Sequence, residues 1–119
     1  MTGEQILGII VMCGAGFGFG SLFYWIGHWA ETRKDPMHFY AGVAVDPKTI
    51  SDIPAYNRAN AKMWKQYSIP YWLILVSAIL TIWDHRFSMI STILIMIACT
   101  AGIGWLLHRY HKILNQYKI

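Results

Sequence analysis

Few side chains in this sequence are equipped for chemistry, and most of them crowd into one stretch. Residues 49–60 read TISDIPAYNRAN, placing Thr49, Asp52, Tyr56, Asn57, Arg58 and Asn60 close together just ahead of a hydrophobic run. These groups bind by hydrogen bonds and charge, and none is a nucleophile paired with a base. A buried amide left without a partner costs about 1–3 kcal/mol. Tyr56 and Asn60 therefore either tie their helix to the neighbouring segment HFYAGVAV, or read a peptide or lipid head group whose charge Arg58 and Lys62 attract. His28, His38, His85, His108 and His111 follow no metal-ligand spacing. His28 and His108 lie at ends of hydrophobic runs, where a bis-histidine haem is geometrically conceivable, but polar residues at a membrane boundary are the simpler reading. No cofactor and no metal are expected. Asp35, Asp46 and Asp52 have simpler uses in capping and charge balance. No Ser-His-Asp set or nucleophile elbow is present, and no enzymatic activity is expected.

The run GAGFGFG is conspicuous. A dinucleotide-binding fingerprint needs glycines at relative positions one, three and six after a strand. Counting from Gly14 the sixth place is Phe19, and from Gly16 it is Ser21. Helix packing fits better. Gly14 and Gly18 form one G-x-x-x-G, Gly16 and Gly20 another, and a step of two residues turns roughly 200°. The two pairs therefore occupy nearly opposite faces, open to close approach by two neighbours. Ala98-x-x-x-Gly102 offers a matching surface further along. One glycine face is expected to pack inside the protein and the other to make either a second internal contact or a homo-oligomer.

The elements that carry these residues follow from composition. The 119 residues are 55% hydrophobic and 13% charged, against about 25% charged in soluble domains. Ile6–Ile26 and Phe87–Leu107 are uncharged, and each is long enough for the roughly 20 apolar residues that cross a bilayer. Ile69–Trp83 is shorter and must borrow Met63, Trp64 and Tyr67. The segment MTGEQ lacks the basic residues of a signal peptide, and no small-residue cleavage site follows, so the first run is expected to be a retained span. Arg33, Lys34, Lys48, Arg58, Lys62, Lys65, Arg109, Lys112 and Lys118 fall on one side of three spans and Arg86 alone on the other. That bias predicts an external N-terminus with the long loop and the tail in the cytoplasm. It accounts for the net charge of +4 without nucleic acid, adding attraction to anionic lipid. Cys13 and Cys99 read as small apolar groups.

Local signals refine the picture. The first helix is expected to run through Glu31 to Lys34 and stop before Pro36. Asp46-Pro47 is an N-cap and first-turn pair for a short helical turn at Lys48–Ile50, and Ser51 or Asp52 caps the next helix with Pro54 in its first turn. Tyr56, Asn60, Met63, Trp64 and Tyr67 share one side of that helix by spacing, and Arg58, Lys62 and Lys65 another. Pro70 is expected to kink it. The link Asp84-His85-Arg86 makes the last two spans an antiparallel hairpin.

At these residues a family resemblance appears. The order Gly42, then TISDIPAYNRAN, two closely joined spans and the tail HRYHKILNQYK resembles the SdpI-like family of bacterial membrane proteins, which includes immunity proteins against a sporulation-delay toxin. The family pattern is Gly-x-Arg, a Thr-Leu with a nearby acid, a Trp, and an Asn four residues later. The matching places are Gly42, Thr49-Ile50, Asp52, Tyr56 and Asn60, within residues 38 to 117. Ala44 stands where the family has its Arg, Tyr56 where it has its Trp, and one helix where it has several preceding spans. The expectation is an all-α, single-domain, multi-pass protein of the bacterial cytoplasmic membrane. Its spans lie at about 6–27, 67–83 and 87–107, with an amphipathic connector over 35–66. The resemblance implies tolerance to a membrane-active peptide toxin or binding of a signalling or membrane protein partner. A small homo-oligomeric channel or transporter subunit is the alternative.

Overall fold

The computed structural model describes residues 1–37 and 45–119. Helix α1, Gly3–Thr32, starts at a capping box. The Thr2 hydroxyl accepts from the Gln5 backbone N–H at 3.1 Å, and the Gln5 side chain accepts from the Thr2 N–H at 2.8 Å. It ends two residues earlier than the expected Lys34. Arg33 is already extended, and its carbonyl and that of Asp35 both accept from the Asn57 side chain. Asp46 caps the single 3₁₀ turn Pro47–Thr49 through the Lys48 N–H. Asp52 caps α2, Ile53–Leu80, through the Ala55 N–H at 3.1 Å. Helix α2 runs unbroken past Pro70, so the polar stretch and the apolar stretch that follows it form one rod.

The third hydrophobic run differs from expectation. It divides at Thr100 into α3, Phe87–Cys99, and α4, Ala101–Tyr117. The Thr100 hydroxyl donates to the Met96 carbonyl at 2.6 Å, a back-bond that bends helices. Beyond the break, Gly102 sits where an added Cβ would lie 3.1 Å from the Tyr67 ring.

All described secondary structure is helical apart from one isolated bridge, Ile50 with Lys118. Helix α2 is the shared partner: α1 packs along one side of it, and α3 and α4 pack along another. The assembly is a narrow rod, 58 × 23 × 21 Å. One end, here the link end, holds Met1 and Asp84–Arg86. The tail end holds Thr32, Asp52 and Tyr117. Among the described residues two helical stretches are long and apolar enough to cross a membrane, Gly3–Thr32 and Phe87–Tyr117.

The glycines decide how closely α1 approaches. A Cβ at Gly16 would stand 2.7 Å from the backbone of Tyr71 and Leu75, and one at Gly27 2.8 Å from the Ala61 carbonyl. Gly20 lies against the Trp72 indole at 3.0 Å by the same measure. Gly14 and Gly18 have nothing within 4 Å. The Gly16/Gly20 face is thus the internal one. Ala98 and Gly102 do not answer this face as expected. They meet Tyr67 of α2, whose hydroxyl donates to the Ala98 carbonyl at 2.9 Å. Because that proton is spent, Tyr71 donates in the 2.9 Å Tyr67–Tyr71 contact. Phe23 of α1 fills the space between Trp64, Tyr67 and Tyr71, with ring centroids 4.9–5.7 Å apart, within the range of favourable aromatic pairs.

Backbone at 2.7 Å cannot yield as a side-chain tip can. Gly16→Leu is therefore expected to destabilise the protein by about 1–3 kcal/mol or more, and Gly18→Leu by less than about 0.5 kcal/mol. Thermal unfolding in detergent, followed by circular dichroism, checks the contrast. Equal losses would mean that α1 does not seat on α2 through this face.

Candidate functional site

The polar stretch forms a buried knot at the tail end. Asn57 is 1% exposed. Its Oδ1 accepts from the Met37 N–H at 2.8 Å, and its Nδ2 donates to the carbonyls of Asp35 at 2.9 Å and Arg33 at 3.3 Å. One amide thus satisfies three backbone groups where α1 has ended, groups that burial would otherwise leave costly. Tyr56 is fully buried. Its hydroxyl donates to the Met37 carbonyl at 2.7 Å and lies 3.3 Å from the Tyr110 hydroxyl of α4. Asn60, also fully buried, donates to the Tyr56 carbonyl at 3.0 Å, and its Oδ1 meets no donor among the described residues.

The chain's end closes the knot. The Ser51 N–H and hydroxyl both donate to the Tyr117 carbonyl, at 2.8 and 3.0 Å, and the Ile119 N–H donates to the Thr49 carbonyl at 2.8 Å. The Thr49 hydroxyl bonds the Asp46 carbonyl at 2.7 Å. Thr49, Asp52, Tyr56, Asn57 and Asn60 are therefore brought together. Arg58 is exposed on another side of α2, and Gly42 lies outside the described residues. Two contributors were not singled out in the sequence: Tyr110 and Tyr117 of α4. Their signal was there, because Leu106, Tyr110, Ile113 and Tyr117 recur at steps of four and three, the stripe of a helix with one buried face.

Charge arrangement differs between the ends. At the tail end Lys65 pairs with Glu31 at 2.8 Å, which holds its ammonium above the ordinary lysine range. At the link end Arg86 donates to Asp84 through Nε and Nη2, at 3.1 and 2.8 Å, and this hydrogen bonding holds the Asp84 carboxyl below the usual range. Both pairs are solvent-accessible and contribute little to stability.

A cleft of about 700 Å³ opens at the link end, within the ~300–1,000 Å³ typical of ligand sites. Gly8 and Met12 of α1 form one wall, and Ala78 and Thr81 of α2 with Ser91 and Thr92 of α3 form the other. Glu4, Trp83, His85 and Ser88 border it as well. Three hydroxyls here have spent their protons on nearby backbone: Thr81 donates to Ser77, Ser88 to His85 and Thr92 to Ser88, at 2.8–3.0 Å. The buried Ser91 hydroxyl is engaged by the Ser77 hydroxyl at 2.8 Å and the Phe87 carbonyl at 3.3 Å. What the first three present to the cleft is lone pairs. The Glu4 carboxylate adds an acceptor, Gln5, Trp83 and His85 bring N–H donors, and the rest is apolar. Such a site suits a ligand with an apolar body and both hydrogen-bond donors and acceptors. No protein-family model, no curated protein and no solved structure matches this chain.

Two outcomes test the knot. Asn57→Ala leaves one buried N–H, that of Met37, and two part-buried carbonyls without their partner, and is expected to cost about 2–3 kcal/mol. Asn60→Ala removes one bond and about 1 kcal/mol. Denaturant unfolding of both variants checks the order. Tyr56 also gives a pH signature. Burial, first, and the Tyr110 contact raise its pKa above the ordinary 10.0. The unfolded phenol therefore ionises where the folded one stays neutral. Stability from this group is intact below about pH 10 and falls as pH rises beyond it. Tyr56→Phe is expected to flatten that decline between pH 9 and 11, roughly, relative to the unmodified chain.

Proposed function

We propose that this chain is a three-span protein of the bacterial cytoplasmic membrane, N-terminus outside and tail inside. It binds a membrane-active peptide in the link-end cleft without catalysing a reaction, and so gives tolerance to it in the manner of the SdpI-like immunity proteins it resembles. The cleft is the observation that carries this reading. It lies where α1 and α3 part company, at the end that carries a single basic residue, Arg86. A peptide arriving from outside meets that end first. Acceptors from Glu4, Thr81, Ser88 and Thr92 beside donors from Gln5, Trp83 and His85 match the N–H and C=O groups of an incompletely folded peptide backbone, and Gly8 and Met12 offer it an apolar bed.

Support for three spans is physical. Ile69, Leu73, Val76 and Ile79 of α2 are each about half exposed, 41–53%, along the stretch where α1 and α3 also display large apolar side chains. A contiguous apolar belt of this extent is unfavourable in water and favourable in hydrocarbon. Nine basic residues lie toward the tail end, as the positive-inside bias requires. The reading needs no nucleic acid and no cofactor.

The experiment is survival of cells with and without the protein against a panel of membrane-active bacterial peptides. The intact chain is expected to raise the inhibitory concentration of at least one peptide severalfold. Gly8→Phe fills the cleft from a position with nothing within 4 Å and is expected to abolish protection at equal expression. Protection lost in Asn60→Ala but kept in Gly8→Phe would move the site to the knot, and protection from no peptide would reject the immunity reading.

A second reading, a small homo-oligomeric channel, has one observation in its favour: the open Gly14/Gly18 face. It requires a crosslinked ladder in membranes that Gly18→Leu removes and Gly3→Leu retains, together with ion leak from reconstituted liposomes. Tight liposomes would exclude it.

A further inference from the structure

A second, smaller pocket of about 100 Å³ lies between α2 and α4 near the tail end. Its floor is apolar, made by the buried Met63 and Ile113. Ala59 adds to the apolar part, and the polar rim is cationic or amide: Lys62 and Gln66 from α2, and Arg109, Lys112 and Gln116 from α4. On each helix the lining follows steps of three and four, at 59, 62, 63 and 66 and at 109, 112, 113 and 116, so one face of each helix turns toward the other. Antiparallel packing brings the two sets of cations opposite one another.

Among the described residues these charges have no acidic partner. Neither α2 nor α3 or α4 contains an aspartate or glutamate. The ion pairs among the described residues engage Lys65 and Arg86, not Lys62, Arg109 or Lys112. Three cations around so small a pocket repel one another, and the rim offers donors in surplus with no carboxylate to receive them. A protein that keeps such an arrangement gains stability when an anion enters. The volume admits a group of phosphate size, and guanidinium, ammonium and amide N–H groups are the donors that recognise phosphate oxygens.

We infer that this pocket binds the phosphate of an anionic phospholipid head group in the membrane leaflet at the tail end. The inference rests on the membrane-spanning reading above. Lys62 lies just before the apolar half of α2 and Arg109 just after the apolar run that ends at Leu107, so the pocket sits at a membrane boundary. From it, Ile69 and Leu73 continue the same side of α2, and Trp105 lies one turn from Arg109 on α4. All three are exposed, at 53%, 50% and 40%, and supply an apolar track for the acyl chains. A basic pocket between helices on the positive side of a bilayer is a recognised setting for lipid head groups.

The test uses the full chain in a neutral detergent, with native mass spectrometry to count retained phosphatidylglycerol against phosphatidylcholine. Phosphatidylglycerol is expected to be retained preferentially. Lys62→Gln with Arg109→Gln is expected to reduce that preference about tenfold to thirtyfold, while Lys118→Gln leaves it unchanged. The double variant relieves repulsion and is expected to unfold no earlier than the unmodified chain. Should it nonetheless misfold, Lys112→Gln alone is expected to lower the preference by about fivefold. Equal retention of the two lipids, or a preference that survives the double substitution, would overturn the proposal. So would inorganic phosphate displacing the lipid at comparable concentration, since the ligand would then be free phosphate. Release of the protein from membranes by alkaline carbonate would overturn the spanning reading itself, a failure distinct from loss of lipid preference.

Discussion

The fold depends on how closely α1 can lie on α2. Helices that exchange only side-chain contacts keep their axes about 8–10 Å apart. Here Gly16 and Gly27 let the backbone of one helix meet the backbone of the other, with Gly20 under the Trp72 ring between them. That contact fixes α1 over its second half. Toward its start, at Met12 and Gly8, α1 instead borders open volume. The link-end cleft thus begins where the internal glycine contacts stop, because α3 packs on α2 rather than on α1.

The two ends handle buried polarity in opposite ways. At the tail end a chain must leave one helix, turn and enter another, which exposes carbonyls and N–H groups that demand partners. Asn57, Tyr56 and Ser51 supply them, and α4 returns Tyr110 and the Tyr117 carbonyl to complete the set. The side chains best suited to recognise a ligand are therefore largely engaged in holding the fold. At the link end Thr81, Ser88 and Thr92 close onto nearby backbone and leave acceptors facing an open volume. In the stretch richest in polar residues, the spare acceptor among the described residues is the Asn60 Oδ1, and it is buried.

Basic residues show a similar division. Lys65 is neutralised by Glu31 across the α1–α2 contact. Lys62, only three residues earlier, turns to α4 and meets Arg109 and Lys112 at the same pocket. Which cation is satisfied and which is left for an anion depends on the helix each one faces.

Much of this was legible in the sequence. Uncharged runs and helical spacing determined an all-helical chain. Thr2, Asp46 and Asp52 announced the starts of its elements, because capping is local and needs only a few neighbouring residues. The opposed glycine pairs were visible as two faces. Which face turned inward was not, since both have the same local chemistry and only the position of Tyr71, Leu75 and Trp72 distinguishes them. The partner of Ala98 and Gly102 was equally hidden: small residues declare that something approaches closely, not what does. The break at Thr100 escaped because hydropathy is continuous across it. The cleft, the knot's closure by α4 and the convergence of Lys62 with Arg109 and Lys112 join residues tens of positions apart. Local propensity carries no record of such distances, and only the packing of three rods against one another decided them.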